Sequence, residues 1–342
     1  MSSPEKPPTK AALIAGFVTI YLLWGSTYLG IKIAVESIPP FLMASSRFLV
    51  AGLLVAGWIA ATRGFHATRK QWFDNALIGG LLLLGGNGMV AWSEQKIPSG
   101  LATLVVSLGP LFIVLLDWGV LVFSQDKSRG TRPTLATFLG VGLGITGLAV
   151  LVGPSLGHGQ TQLDPWRIGG LVLACFSWSG GSIFTRYARR PAEPFTAAAI
   201  QMLTGSMWLL VVSLLMGEPA HFHLADVSRQ SLVAWTYLIV AGSLVGFTTF
   251  VWLMKHSTPA RVSTYAYVNP IVAVFLGWML AHEAVGPRMG IAAAIIIAGV
   301  AIITTAKNRP RPPDFAAKPV NAPAAMTVSA SKKALSAAGG ET

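Results

Sequence analysis

The sequence has little charge. Only 11% of its 342 residues are Asp, Glu, Lys or Arg, 53% are hydrophobic, and the mean hydropathy is +0.61. Soluble globular domains carry about 25% charged residues, so this composition excludes an ordinary soluble protein. Acids are the scarcer sign, with 13 Asp and Glu against 25 Lys and Arg. The composition predicts a membrane protein.

Cysteine is almost absent. Cys175 is the single cysteine of the chain, which excludes an intrachain disulfide, and its position in the apolar run LVLACFSWSGG predicts a small buried hydrophobe. The histidines lie in or beside connecting segments and lack the spacing of metal ligands. For example, His221 and His223 are better explained as loop residues than as a metal site. No metal and no cofactor is predicted.

Nucleotide-binding motifs are lacking as well. The segment GLGITG, from Gly142 to Gly147, has the spacing of a dinucleotide motif, but no strand precedes it and it lies in an apolar run. Gly140 and Gly144 instead predict a surface that a neighbouring helix approaches closely. The chain also has no phosphate-binding loop of the G-x-x-x-x-G-K-[ST] type. An ATP-driven pump is therefore excluded.

Long hydrophobic runs are what the sequence has in abundance. A helix needs about 20 apolar residues to cross a bilayer, and ten segments qualify. They lie near residues 12–35, 41–61, 73–92, 99–123, 133–152, 166–187, 195–216, 231–253, 260–282 and 287–306. The sequence thus predicts an all-α polytopic membrane protein with ten transmembrane helices.

The basic residues predict the orientation of these helices. If residues 1–11 are a cytoplasmic segment, most Lys and Arg fall in the connections on the inner side, as the positive-inside rule requires. The net charge of +12 is then a topology signal and not a sign of nucleic-acid binding. Residues 307–342, rich in Pro, Ala and Lys, predict a disordered cytoplasmic tail. We expect a monomer in the bacterial inner membrane, with the lipid bilayer and a small-molecule substrate as its partners.

The chain also repeats itself. A shift of 154 residues places Trp24 on Trp178, Lys32 on Arg186, Pro40 on Pro194 and Phe41 on Phe195. A shift of 160 residues places Gly86 on Gly246, Trp92 on Trp252, Pro110 on Pro270 and Trp118 on Trp278. These matches predict two five-helix halves, 12–152 and 166–306. Because five is odd, the halves are inverted in the membrane, which is typical of secondary transporters with a midplane site and alternating access.

Two stretches of the chain resemble a known family. LLWGSTYLGIKIAVESIPPFLMASSRFLVAG and STYAYVNPIVAVFLGWMLAHEAVGPRMGIAAAIIIAGVAII are similar to the most recognisable segments of the EamA family, ten-span bacterial exporters of the drug/metabolite transporter superfamily. The resemblance covers about residues 14–305 and implies export of amino acids or other small metabolites. Leu276, Gly277 and Glu283 match the family pattern at the end of the ninth helix, whereas the first half has Asp117 where Gly277 aligns.

Arg47 is the first candidate for binding substrate. It lies about two turns inside the second predicted helix, where an unpaired cation is costly and an ionisable residue indicates function. It either binds a substrate carboxylate or forms a fixed ion pair with Glu36 or Glu94. Its repeat partner is the neutral Gln201, so a site built on Arg47 would be asymmetric.

The other candidates are aromatic and amide side chains. Trp24 and Tyr28 share a helix face with Lys32, and we expect Lys32 to extend its ammonium into the outer headgroups while the aromatic pair lines a cavity. Polar groups among glycine or beside proline, and repeat partners of these residues, complete the set. The predicted substrate-binding residues are Trp24, Tyr28, Arg47, Asn87, Trp178, Gln201, Tyr265 and Asn269.

The sequence therefore predicts a secondary transporter that exports small metabolites, such as amino acids or amphipathic toxic compounds, by alternating access. Asp117, Glu94 and Glu283 are the acids close enough to the membrane to carry a coupled proton. A bidirectional facilitator and an uptake carrier of the same fold remain open. A membrane enzyme acting on lipid-linked substrates is the remaining alternative, although it would need acids, histidines or a nucleophile clustered at one depth.

Overall fold

The computed structural model describes residues 8–123, 133–152, 164–189, 191, 193–257, 259–262 and 264–305. The predicted tail at 307–342 lies outside these residues. The described chain contains helices and no strand. Its ten long helices are α1 (Lys10–Ala34), α2 (Pro40–Thr62), α3 (Arg69–Glu94), α4 (Ser99–Phe123), α5 (Leu135–Val152), α6 (Pro165–Phe184), α7 (Pro194–Leu215), α8 (Arg229–Met254), α9 (Tyr265–Ala281) and α10 (Pro287–Thr305).

These helices follow the predicted spans closely. Among the described residues, α1, α2, α3, α4, α7 and α8 are long and apolar enough to cross a membrane, and shorter apolar helices lie in α5, α9 and α10. The start of the ninth predicted span differs, because a separate short helix, Pro259–Val262, precedes α9. The prediction of an all-helical membrane protein is confirmed.

Two of the helices contain a π-helical segment, which the sequence analysis did not predict. In α3 it runs from Gly80 to Gly88, and in α8 from Leu238 to Phe247. The two segments occupy corresponding places in the two halves, since a shift of 160 residues overlays them almost completely. Such segments are frequent at functional sites. Both carry residues that face the cavity described below.

The two prolines that the 160-residue shift relates both lie within long helices. The second part of α4 begins at Gly109, after a turn at Ser107 and Leu108, so Pro110 is its second residue, and Pro270 lies inside α9. Proline cannot donate the backbone hydrogen bond that a continuous helix needs. The backbone hydrogen bonding of both helices is therefore interrupted at the positions that the 160-residue shift relates.

The halves pack by exchanging partners. The first helix of the first half, α1, packs on α8 and α9 of the second half, and the first helix of the second half, α6, packs on α3 and α4. Two further close pairs, α2 with α7 and α5 with α10, join equivalent helices. Where α5 meets α10, Gly299 packs against Gly140 and Gly144. A Cβ atom at Gly299 would lie 2.7 Å from the carbonyl oxygen of Gly140. The close approach predicted at Gly140 and Gly144 is confirmed.

Polar contacts at the helix ends also join the halves. The Arg189 guanidinium donates to both carboxylate oxygens of Asp74, from Nε at 2.8 Å and from Nη2 at 3.2 Å. These hydrogen bonds raise the pKa of Arg189. Glu218 accepts from the backbone N–H groups of Phe41, at 3.2 Å, and Leu42, at 2.8 Å, which begin α2. A carboxylate at a helix N-terminus stabilises the helix, so Glu218 fixes α2 to the second half.

We expect the Glu218→Ala variant to unfold at a lower temperature than the wild type. It removes three charge-assisted hydrogen bonds, two from these backbone N–H groups and one from the Ser213 hydroxyl at 2.7 Å. The donors are left without their partner, a loss of about 1–3 kcal/mol. Thermal unfolding followed by size-exclusion chromatography in detergent measures the shift. Glu36→Ala is the matched control, because Glu36 is an exposed acid beside α2. An unchanged unfolding temperature for Glu218→Ala would show that the cap does not stabilise the fold.

The expectation for Lys32 is wrong. Its Nζ atom donates to the backbone carbonyl oxygen of Glu94 at 2.8 Å and lies 3.5 Å from that of Gln95. The last carbonyls of a helix have no intrahelical partner and attract cations. Lys32 therefore satisfies the C-terminus of α3 and does not extend into the headgroups.

Candidate functional site

A cavity of about 110 Å³ lies where the two halves meet. For comparison, an apolar cavity of about 150 Å³ binds benzene, so this one has room for part of a small organic molecule without any rearrangement. Helices α1, α2, α3 and α4 of the first half and α6, α8 and α9 of the second half contribute to its wall. The cavity is thus a shared feature of both halves and belongs to neither alone.

Aromatic rings form one wall of the cavity. The Trp24 ring centre lies 6.0 Å from that of Trp178 and 5.0 Å from that of Tyr265, with the ring planes nearly perpendicular in both pairs. Phe250, behind the wall, lies 4.9 Å from Trp24. Edge-to-face aromatic pairs of this kind are favourable beyond their area of contact. The result is a rigid apolar surface built around Trp24.

Each tryptophan of this wall rests on a glycine of the opposite half. A Cβ atom at Gly246 would lie 2.7 Å from Nε1 of Trp24, and one at Gly86 would lie 2.8 Å from Cε3 of Trp178. The two shifts of 154 and 160 residues relate Trp24 to Trp178 and Gly86 to Gly246. Both glycines belong to the π-helical segments. The structure therefore contains the same Trp–Gly contact twice, in opposite directions across the interface.

Arg47 brings a cation to this apolar cavity. The side chain is 4% exposed, its Nε donates to Oγ of Ser243 at 2.9 Å, and its guanidinium carbon lies 4.7 Å from the centre of the Phe48 ring. The π-helical segment of α8 supplies Ser243 and also Gly242, at which a Cβ atom would be 2.7 Å from Nη2 of Arg47. The glycine therefore makes room for the guanidinium.

No acid neutralises Arg47 among the described residues. Glu36 and Glu94, the predicted ion-pair partners, do not lie within 4.0 Å of it, and its two terminal nitrogens make no hydrogen bond within the described part of the chain. A buried cation is costly unless it is paired or faces a polar ligand. The guanidinium is thus positioned to bind an anionic group of a molecule in the cavity.

Two other polar side chains face the cavity with hydrogen-bonding capacity left over. Tyr28 and Asn87 line it, and within the described residues neither side chain makes a hydrogen bond. Asn269 lines it too, but with its amide nitrogen facing the carbonyl oxygens of Tyr21 and Tyr265, at 3.2 Å each, it ties α1 to the first turn of α9. The cavity therefore combines an aromatic wall with one cation and a few free polar groups.

Seven of the eight predicted site residues lie around this cavity, namely Trp24, Tyr28, Arg47, Asn87, Trp178, Tyr265 and Asn269. Gln201 does not. It lies on α7, which contributes nothing to the wall, and its Nε2 donates to Oδ1 of Asn75 at 2.8 Å between buried side chains. The repeat relation to Arg47 placed Gln201 in the prediction, and its bond to α3 keeps it outside the cavity.

Sequence reasoning missed part of the wall. Thr27, Phe48, Gly242 and Phe247 line the cavity but carried no pattern that separates them from other residues of apolar helices. The glycines under the tryptophans, in contrast, did carry a signal in the sequence, because the alignment of the halves matched Gly86 with Gly246. That match was the available signal for the Trp–Gly contacts.

Comparison with known proteins agrees with this architecture. The model of the EamA-like transporter family matches residues 11–153 and 166–305, once for each half. The chain belongs to the EamA-like transporter family. The fold of ten membrane helices in two inverted five-helix halves is thereby confirmed, together with the resemblance on which it was first based. Membership also makes this chain a membrane transporter at the level that the family defines.

Several members of the family are similar over nearly the whole chain. The uncharacterized inner membrane transporter YedA of Escherichia coli is 34% identical over 312 residues, which cover 91% of this chain and 95% of YedA. A probable amino-acid metabolite efflux pump of Salmonella typhimurium is 26% identical, covering 83% of this chain and 91% of the pump. A crystal structure with 23% identity and a TM-score of 0.59 covers 86% of this chain and 96% of its own, which supports the fold.

Proposed function

We propose that this EamA-like transporter exports small metabolites that combine a carboxylate with an apolar body, with apolar and aromatic amino acids as the first candidates. The observation that carries the proposal is the buried Arg47, which has no acidic partner among the described residues and faces an aromatic cavity. A guanidinium binds a carboxylate through two parallel hydrogen bonds, and Trp24 and Trp178 offer an apolar surface beside it. Alternating access between the inverted halves moves the substrate.

Two further facts support this proposal. A relative of similar length bears the name of a probable amino-acid metabolite efflux pump, and YedA is named as an inner membrane transporter. The distribution of Lys and Arg favours cytoplasmic termini in a bacterial inner membrane. In that orientation α1 and α9 both run from the cytoplasm outward, and the aromatic cluster of Trp24, Tyr265 and Phe250 lies on the cytoplasmic side of the cavity.

Transport by purified protein in liposomes tests the substrate class. We expect radiolabelled phenylalanine to be carried, and phenylalanine amide, which lacks the carboxylate, to be carried at least about tenfold more slowly, because a site built to bind a polar group discriminates strongly against its absence. Empty liposomes are the control. If no amino acid of a radiolabelled panel is carried, the amino-acid proposal is wrong. Equal rates for phenylalanine and its amide would exclude recognition of the carboxylate.

The direction of transport requires intact cells. Cells that overproduce the protein and hydrolyse a phenylalanine-containing dipeptide are expected to release phenylalanine faster than cells without it. Net accumulation of labelled phenylalanine from the medium would instead identify an uptake carrier. Equal acceleration of entry and exit, with no net movement against a gradient, would identify a facilitator.

A further inference from the structure

Glu94, the last residue of α3, is a buried acid that no contact explains. Its exposed fraction is 0%, and neither carboxylate oxygen has a hydrogen-bond partner in the described part of the chain. The adjacent Ser93 hydroxyl is also buried without a partner. An ionised carboxylate without donors is very costly to bury, so such a group stays neutral by holding a proton. Glu94 is therefore placed to hold a proton in this arrangement of the helices.

No described residue forms a salt bridge with the Glu94 carboxylate. Lys32 is the nearest cation, yet its ammonium is hydrogen-bonded to the backbone carbonyl of Glu94 and not to the carboxylate, from which it is more than 4.0 Å away. Arg167 donates to the Trp92 carbonyl and to Gln95. The titratable side chains on the helices packed against this end of α3 are Tyr28 and Lys32 on α1, Arg47 on α2, Arg167 and Cys175 on α6, and, held at the start of α4, Glu283.

The other two intramembrane acids singled out by the sequence have partners. Asp117 accepts from Arg186 at 2.8 Å. Glu283 accepts from the backbone N–H groups of Ser99, at 2.8 Å, and Gly100, at 3.1 Å, and so caps the start of α4. Both carboxylates therefore have hydrogen-bond donors. Glu94 differs from them in having none.

Glu94 is also close to the cavity along the chain. Val90, one helical turn before it, lines the cavity, as does Tyr28, one turn before Lys32 on α1. A rearrangement that opens or closes the cavity between α1 and α3 therefore also changes the surroundings of the Glu94 carboxyl group. Such a movement is the means by which protonation and substrate binding become linked in one cycle.

We propose that Glu94 is the proton-binding site of this transporter and couples substrate movement to the proton gradient. In the arrangement described here the carboxyl group holds its proton. When this end of α3 is exposed to water, the O–H bond breaks, the proton passes to a water molecule, and the carboxylate is hydrated. Reclosure requires a proton to be taken up again. The inference rests on the proposed transport function, but proton binding itself is measurable without a substrate.

Infrared spectroscopy of the protein in a detergent that contains no carbonyl group, such as dodecyl maltoside, tests proton binding directly. Between about pH 5 and pH 9, the wild type is expected to show the carbonyl stretch of a protonated carboxylic acid, which disappears as the pH rises. The stretch is expected to be absent from Glu94→Gln, shifted in Glu94→Asp and unchanged in Glu36→Gln, which alters an exposed acid. If Glu94→Gln does not fold, the shift in Glu94→Asp decides. A stretch that remains in Glu94→Gln, or none in the wild type, would overturn the proposal.

Transport assays then test coupling. With radiolabelled phenylalanine, Glu94→Gln is expected to retain exchange at equal pH on both sides while losing the severalfold stimulation that a pH gradient gives to the wild type. Retained stimulation in Glu94→Gln would overturn coupling through Glu94. If phenylalanine is not carried by the wild type, the amino-acid proposal fails, and the infrared titration alone decides whether Glu94 binds a proton.

Discussion

Arg47→Ala is expected to reduce the affinity for phenylalanine by about 30-fold, which corresponds to about 2 kcal/mol for the lost charge-assisted hydrogen bonds. Arg47→Lys is expected to recover only part of the loss, because an ammonium lacks the planar pair of donors that fits a carboxylate. Concentration-dependent uptake of radiolabelled phenylalanine into liposomes measures both effects. Arg229→Ala, which removes an exposed cation at the start of α8, is the matched control and should behave as wild type.

A second substrate separates binding from structure. Arg47 also donates to Ser243, so its removal could act through the fold of the cavity. Phenylalanine amide has no carboxylate to lose, and its slower transport should change little in Arg47→Ala. The difference between the two substrates isolates the interaction, as in a double-mutant cycle. Equal losses for both substrates, or a large fall in unfolding temperature, would show that Arg47 is structural.

The second large effect is expected from the glycines beneath the tryptophans. Gly246→Ala places a Cβ atom 2.7 Å from Nε1 of Trp24, and Gly86→Ala places one 2.8 Å from Cε3 of Trp178. Both distances require the indole ring to move, and both rings line the cavity. We expect phenylalanine transport to fall at least about tenfold in each variant, while overpacking lowers the stability by about 1–3 kcal/mol. Transport rate and unfolding temperature are measured together.

Rescue across the halves provides the control. Trp24→Phe is expected to restore transport to Gly246→Ala but not to Gly86→Ala, and Trp178→Phe should do the reverse, because each smaller ring makes room only at its own contact. Gly57→Ala, where nothing lies within 4 Å of the new Cβ atom, should be silent. If Trp24→Phe also rescued Gly86→Ala, or Trp178→Phe also rescued Gly246→Ala, the pairing that the structure shows would be contradicted.

The ten helices were predictable because the bilayer imposes a simple requirement on length and hydropathy. The inverted halves were predictable from Trp and Pro residues that recur at constant shifts. The π-helical segments were not, since one extra residue per turn in an apolar helix changes neither its hydropathy nor its composition. These segments bring Gly86 and Gly242 to the cavity and Gly246 against Trp24. The sequence alone did not indicate these roles.

The two errors have a common physical origin. Depth in the membrane was known approximately for Lys32, but the unpaired carbonyls at the end of α3, to which it donates, depend on which helices are neighbours. Gln201 was included through its repeat relation to Arg47, yet Asn75 on α3 takes its amide. In both cases a polar side chain has several possible partners, and only the packing of the helices selects one. Arg47 lies beside the cavity as its depth in the helix predicted, and Ser243 takes only its Nε while the two terminal nitrogens make no hydrogen bond within the described residues.

The crossed Trp–Gly contacts also constrain how such a gene can change. An internal duplication normally frees one copy to diverge while the other retains the original role. Here each half supplies the glycine against which the tryptophan of the other half packs. A larger residue at Gly86 is therefore tolerated only if Trp178, encoded almost a hundred codons later, becomes smaller. Substitutions at these positions must therefore occur in pairs, at Gly86 with Trp178 and at Gly246 with Trp24. We expect each pair to covary among relatives.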